Sequence, residues 1–129
     1  MKTGLVLEGG GMRGAYTCGV LDAFLDHDIE VNGLIGVSAG ICHGCSYVSK
    51  QRGRAFRVMS DYLRDSRYMS MRSLIQTGDL FNAEFVYHTL PEILDRYDFQ
   101  TFNRSHTRLY AVCSNLESGE AEYIRLIHM

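Results

Sequence analysis

The sequence predicts an α/β domain built on a largely parallel sheet, and three observations carry that prediction. Leu5-Val6-Leu7 and Leu34-Ile35-Gly36-Val37 are short apolar runs of the kind that fill buried parallel strands. Each run ends at a glycine-rich turn and leads into a stretch of helical periodicity. Strand, helix, strand and helix thus follow one another within the first 50 residues, the order of right-handed βαβ crossovers. With 129 residues the chain has the size of one domain. Its 46% apolar and 22% charged residues exclude disorder. Thirteen basic against fifteen acidic residues give a net charge of −2, which excludes a basic nucleic-acid binder, so no nucleic-acid partner is expected. The mean hydropathy is −0.11. No apolar run approaches the roughly 18 residues of a membrane span.

The elements follow in order. Leu5-Val6-Leu7 is the first strand, and residues 9–14 are its turn. Tyr16, Val20, Leu21, Phe24 and Leu25 then recur at helical spacing, with Asp22 and Asp26 opposite, which predicts an amphipathic helix ending near His27. The second strand ends where the chain turns at Ser38. Residues 39–50 are a helix rich in small side chains, able to lie close to a sheet. Ala55, Phe56, Met59, Tyr62 and Leu63 predict a third helix over 54–64. Residues 66–80 mix Ser, Arg, Met and Gly and read as mostly irregular. Asn82 caps a helix reaching Thr89, and Pro91 begins another short helix to Tyr97. Residues 108–113 and 121–126 read as strands joined by a turn at 115–120. The sequence stops at Met129, directly after that last strand, so the sheet is expected to be incomplete at the C-terminus, with an open edge available for self-association.

Chemistry concentrates where the glycines do. Eleven of the thirteen lie within residues 4–53, a clustering that reads as a site built from backbone. Gly9-Gly10-Gly11-Met12-Arg13-Gly14 joins a strand to a helix, and consecutive N–H groups at a helix start make an anion cradle. Such a loop suits a dinucleotide phosphate or the oxyanion of acyl transfer. A dinucleotide site expects an acidic residue at the end of the second strand, and that strand ends Gly36-Val37-Ser38. Gly36-Val37-Ser38-Ala39-Gly40 has the pattern of a nucleophile elbow, in which flanking glycines admit neighbouring backbone and the serine is lifted out of the sheet edge. The bland alternatives are a plain turn for the first loop and a helix-capping serine for the second. If the two strands are neighbours, the Gly10 and Gly11 N–H groups lie beside the Ser38 hydroxyl, as acyl transfer requires.

The run from Gly4 to Ala15, followed by Ile35-Gly36-Val37-Ser38-Ala39-Gly40, resembles the patatin-like phospholipase family. The resemblance implies a three-layer α/β/α fold with a mostly parallel central sheet, of which residues 1–129 form the N-terminal portion. It implies Ser38 as nucleophile, an oxyanion hole from Gly9, Gly10, Gly11, Arg13 and Gly14, and Gly36 and Gly40 as the glycines of the elbow. It implies a Ser–Asp dyad acting on a lipid or other acyl ester through an acyl-serine, with no metal or organic cofactor. The family's aspartate stands in an Asp-Gly pair. None of Asp22, Asp26, Asp28, Asp61, Asp65, Asp79, Asp95 and Asp98 is followed by glycine, so no catalytic aspartate is assigned. The alternative is a non-catalytic, truncated or degenerate chain acting as an interaction module. A rival triad would draw on His106 or His128 with Asp79 or Asp95, although elbows of that kind follow several strands.

The remaining features read as structural. Cys42-His43-Gly44-Cys45 has neither a second metal-binding pair nor a redox context, and reads as small residues packed on a sheet. The five histidines read as surface or helix-end residues. The four cysteines read as reduced thiols, and the N-terminus lacks an export signal, so a cytoplasmic protein is expected. Arg52, Arg54, Arg57, Arg64, Arg67 and Arg72 read as a solvated helix face, with transient contact to a membrane surface as the alternative.

Overall fold

The computed structural model describes residues 1–128, which divide into two units, Met1–Ala55 with the chain from Asp98 onward, and Phe56–Tyr97. The elements in chain order are β1 (Gly4–Leu7), α1 (Gly14–Asp26), β2 (Gly33–Val37), α2 (Ala39–Val48), α3 (Arg54–Asp61), α4 (Met71–Thr77), a π-helix (Phe85–Leu94), α5 (Phe99–Arg104), β3 (Arg108–Ser114) and β4 (Ala121–Leu126). The first unit holds the whole sheet.

The four strands lie in sequence order, with β1 parallel to β2, β2 parallel to β3, and β4 antiparallel to β3. Register puts Leu5, Leu34 and Leu109 in one row and Leu7, Gly36 and Ala111 in the next row of the same face. Leu34 and Leu109 are buried completely, each worth about 1.5–3 kcal/mol relative to exposure. α2 lies on this face, with Gly44 directly above the strands. A methyl there would come within 2.8 Å of Leu34 Cδ2 and 3.4 Å of Leu7 Cδ1. α1 packs in turn on α2, burying Cys18 and Leu21, and Phe24 meets Tyr47 edge to face. The Tyr47 hydroxyl donates to the Ile29 carbonyl at 2.7 Å and so is satisfied within the core.

The fold is therefore the α/β class that the sequence predicts, with a mostly parallel and open sheet. In the first unit the helices pack on one face. On the other face Val6, Ile35 and Tyr110 form one row and Val37, Val112 and Tyr123 the next. Val6 is 70% and Tyr123 61% exposed, so this is the face that a third layer would cover.

Three elements differ from expectation, each for a local reason. Residues 66–80 are not irregular throughout. Ser70 accepts a hydrogen bond from the Ser73 N–H at 3.1 Å, Gly78 closes the helix in the left-handed region, and α4 forms between them. Asn82 caps as expected, accepting from the Phe85 N–H at 3.0 Å. The two short helices expected beyond it are instead one π-helix running through Pro91, whose wider winding accommodates a residue with no N–H. α5 was not anticipated, although Asp98 signals it by accepting from the Thr101 N–H at 2.8 Å. The arginine stretch is also not a single solvated face. Arg54 is buried, while Arg52 pairs with Asp26 and Arg57 with Asp95.

The seating of α2 on the sheet gives a first prediction. Gly44→Val overpacks the contact with Leu34 and Leu7 and lowers stability by about 1–3 kcal/mol. Gly19→Ala, within α1 and with open space around it, raises stability by about 0.5–1 kcal/mol. Denaturant unfolding of the two variants beside the parent checks both signs.

Candidate active site

Because β1 and β2 are parallel neighbours, the turns that follow them leave the same carboxyl edge side by side. After β1 come Glu8, Gly9 and Gly10, a single 3-10 turn over Gly11–Arg13, and then α1. After β2 comes Ser38 alone, and then α2.

Ser38 has φ 51° and ψ −124°, a conformation that an L side chain rarely adopts. Strain of this kind costs about 1–3 kcal/mol and persists only where the surroundings enforce it. Here the two flanking glycines show the enforcement. A methyl at Gly36 would lie 2.5 Å from Ile41 Cα. One at Gly40 would overlap the Leu7 carbonyl oxygen and sit 2.8 Å from that of Glu8. The turn must be this sharp for α2 to begin directly over the end of β1. The Ser38 carbonyl accepts from the Ile41 N–H at 3.1 Å, but its side chain caps nothing. A capping serine would accept from an N–H of the first turn. Ser38 is an exposed residue instead.

The glycine loop touches this elbow. A methyl at Gly9 would lie 3.1 Å from Ser38 Cβ and 3.4 Å from the Val37 carbonyl oxygen. Gly11 is left-handed at φ 50°, and the Gly10 carbonyl accepts from the Arg13 N–H at 3.0 Å. The first N–H groups of such a turn have no partner within it, and the following helix adds its dipole, so negative charge is favoured there. Arg13 is exposed at the end of the turn and contributes a positive charge. Gly14 is buried at the start of α1, where a methyl would overlap His43 Nε2 and lie 3.0 Å from His43 Cδ2.

His43 corrects one expectation, since it is neither at the surface nor at a helix end. It is 5% exposed, on the side of α2 that α1 covers, and its Nε2 has no hydrogen-bond partner. Burial holds its pKa below the usual imidazole value, so the ring is neutral near pH 7. Position 43 lies within Cys42-His43-Gly44-Cys45, the stretch that reads as small residues packed on the sheet. Burial also raises the thiols of Cys18 and Cys45, to about 11 and about 12, and none of the four cysteines forms a disulfide.

Three aspartates of the same unit are engaged elsewhere. Asp22 accepts from the Gly53 N–H, Asp26 holds Arg52 through two hydrogen bonds, and Asp98 caps α5. His106 precedes β3, and His128 follows the end of β4 that pairs with Leu109. Both therefore lie at the amino end of β2 and β3, separated from Ser38 by the length of β2, about 16 Å. A cavity of about 300 Å³ opens at that end, lined in part by Tyr47, Lys50 and His106, and shares no residue with the two loops.

Comparison with known proteins places these loops in context. The family model for patatin-like phospholipase matches residues 5–123, a span that includes both. The uncharacterized protein YjjU of Escherichia coli (strain K12) is 30% identical over 86 residues, covering 66% of this chain and 24% of that protein. The chain thus spans about a quarter of that relative's length. No solved structure matches the chain.

Buried, neutral His43 makes stability depend on pH. Its folded-state pKa is depressed, so the unfolded chain binds the proton first as the pH falls below about 6.5. Its contribution is complete above that pH and is lost on acidification towards its folded-state pKa. The parent is expected to melt at a lower temperature at pH 5.5 than at pH 7.5. His43→Leu removes most of that difference in calorimetry, because the carboxylates held by partners titrate at lower pH.

Proposed function

The chain belongs to the patatin-like phospholipase family, whose members are generally lipid acyl hydrolases, and from that premise we propose that Ser38 is the nucleophile of a serine esterase reaction on a lipid or other acyl ester. Close approach of the Gly9 loop to the strained Ser38 turn, whose side chain caps nothing, is the observation that supports this reading.

In the proposed reaction Ser38 Oγ attacks the ester carbonyl carbon and its proton passes to an aspartate. Negative charge gathers on the carbonyl oxygen, which the N–H groups of Gly10 and Gly11 receive, with Arg13 as positive support. Gly9, Gly36 and Gly40 keep the two loops in contact, and Gly14 lets α1 begin where it does. Collapse of the intermediate expels the alcohol and leaves an acyl-serine, which water then hydrolyses. This chemistry asks for no cofactor. Residues 1–129 would be the N-terminal portion of the catalytic domain, and the aspartate would come from chain beyond them. Without that base the serine is an ordinary alcohol, and loss of one member of such a unit slows turnover by about 10⁴–10⁶.

A second reading is a non-catalytic module that associates through the open sheet. It draws on the exposed Val6 and Tyr123 and on the edge of β1.

Hydrolysis of a short-chain nitrophenyl ester tests the first reading, using this chain and an extended chain that carries the rest of the domain. The extended chain is expected to turn over, and Ser38→Ala in it to lower the rate by about 10⁴ or more. Equal rates for Ser38→Ala and its parent would remove the assignment and leave the second reading.

A further inference from the structure

We propose that His43 is a positioning residue for the Ser38 reaction, its buried ring setting the spacing between the glycine loop and the serine elbow. The inference rests on the hydrolase reading above and adds a residue to it.

The two βα units meet in two places. At the sheet edge the Gly9 loop comes close to the Ser38 turn. Behind that edge α1 packs on α2, and there Gly14, the first residue of α1, lies against His43. A methyl at Gly14 would overlap Nε2, so the Gly14 Cα–H on that side points at the tip of the ring. Gly14 is also tied to the loop before it. Its N–H donates to the Gly11 carbonyl, and the Gly10 carbonyl accepts from the Arg13 N–H at 3.0 Å. The residues whose N–H groups would receive the oxyanion are therefore held from the same end of α1 that rests on the ring. His43 itself is carried by α2, the helix that follows Ser38 directly. The ring is thus a spacer, with the glycine loop at one end and the helix of the nucleophile at the other.

The kind of side chain matters as well as its bulk. His43 is 5% exposed, and its Nε2 has no hydrogen-bond partner among the described residues. An unpaired buried nitrogen costs stability and calls for a reason. An apolar side chain would avoid that cost but would not match the reach. Leucine ends one atom short of Nε2 and leaves a gap beneath Gly14, whereas phenylalanine extends further and presses on it. Burial keeps the imidazole neutral, so it places no charge beside the start of α1, where a cation would oppose the helix dipole. Donors that meet a developing charge act in the transition state, so a displaced loop lowers kcat and leaves KM nearly unchanged. Misplacement by about 1 Å costs about 10²-fold.

Steady-state hydrolysis of the nitrophenyl ester by the extended chain tests this, with each variant's melting temperature measured and each assay run well below it. His43→Leu is expected to fold and to lower kcat about 10–100-fold, with KM within about twofold of the parent. His43→Gln, whose amide ends near the position of Nε2, is expected to restore most of that loss. Gly14→Ala lowers kcat as His43→Leu does, because the ring then pushes on the start of α1. Combined with His43→Leu, the new methyl enters space that the ring has left, so the double variant loses no more than the worse single one. Parental kcat in His43→Leu, where Ser38→Ala abolishes hydrolysis, would overturn the positioning role and leave the nucleophile in place. A change confined to KM or to melting temperature would overturn it too, as would losses that multiply in the double variant or a His43→Gln no faster than His43→Leu. Hydrolysis unaffected by Ser38→Ala would overturn the nucleophile and the positioning role together, a result read without reference to His43.

Discussion

The close passage of α2 over the end of β1 is the constraint on which the first unit depends. At Gly40 the backbone comes so near the Leu7 and Glu8 carbonyls that a side chain has no room. That approach sets the turn at Ser38, because the chain must reverse within one residue to start a helix there. It lays Gly44 over Leu34 and Leu7, so the helix seats on the most buried row of the sheet. It also presses Gly9 against Ser38. The strain at Ser38, about 1–3 kcal/mol, is of the same size as the burial of one leucine such as Leu34. The core beneath the turn is thus sufficient to hold it.

Legibility in the sequence follows the same constraint. The elbow and the glycine loop were readable because close backbone approach demands glycine, so steric need and sequence signal coincide at Gly9, Gly36 and Gly40. The strands were readable because apolar runs and turns alternate at short range, whereas their order in the sheet comes from the pairing of the strands. His43 was not readable, since its burial comes from α1 lying across α2, a contact that no local pattern announces. α4 was hidden by its composition. Its apolar residues face outward and its serine inward, so a search for a buried stripe finds none, and only the cap at Ser70 and the glycine at 78 mark its ends. The π-helix was split in two because proline normally begins a helix or ends one.

Ion pairs add little to this architecture. Asp26 with Arg52, and Glu30 with Lys50, join the ends of α1 and α2 at the surface, where water and salt screen such pairs. Arg52 lowers the pKa of Asp26 and Lys50 that of Glu30, yet solvent screens both pairs. Their use is local, fixing the loop after α2 against the C-terminus of α1, where the Gly53 N–H also meets Asp22 at 2.8 Å. Packing around Leu34, Leu109, Cys18 and Leu21 does the rest.

On the proposed reading, the two tasks of the reaction fall to different parts of the fold. Residues 9–14 and 36–40 supply position, namely a hydroxyl held clear of the helix and amide donors fixed by the turn that carries them. These donors need no rearrangement when charge develops, which is where preorganised backbone is most effective. Proton transfer needs a side chain of suitable pKa within hydrogen-bond reach. Among the described residues no carboxylate or imidazole is hydrogen-bonded to Ser38. The positioning half is enforced by sterics within the first two βα units. It can therefore persist in a chain whatever supplies the base, and the shape of the elbow reports on binding geometry separately from turnover.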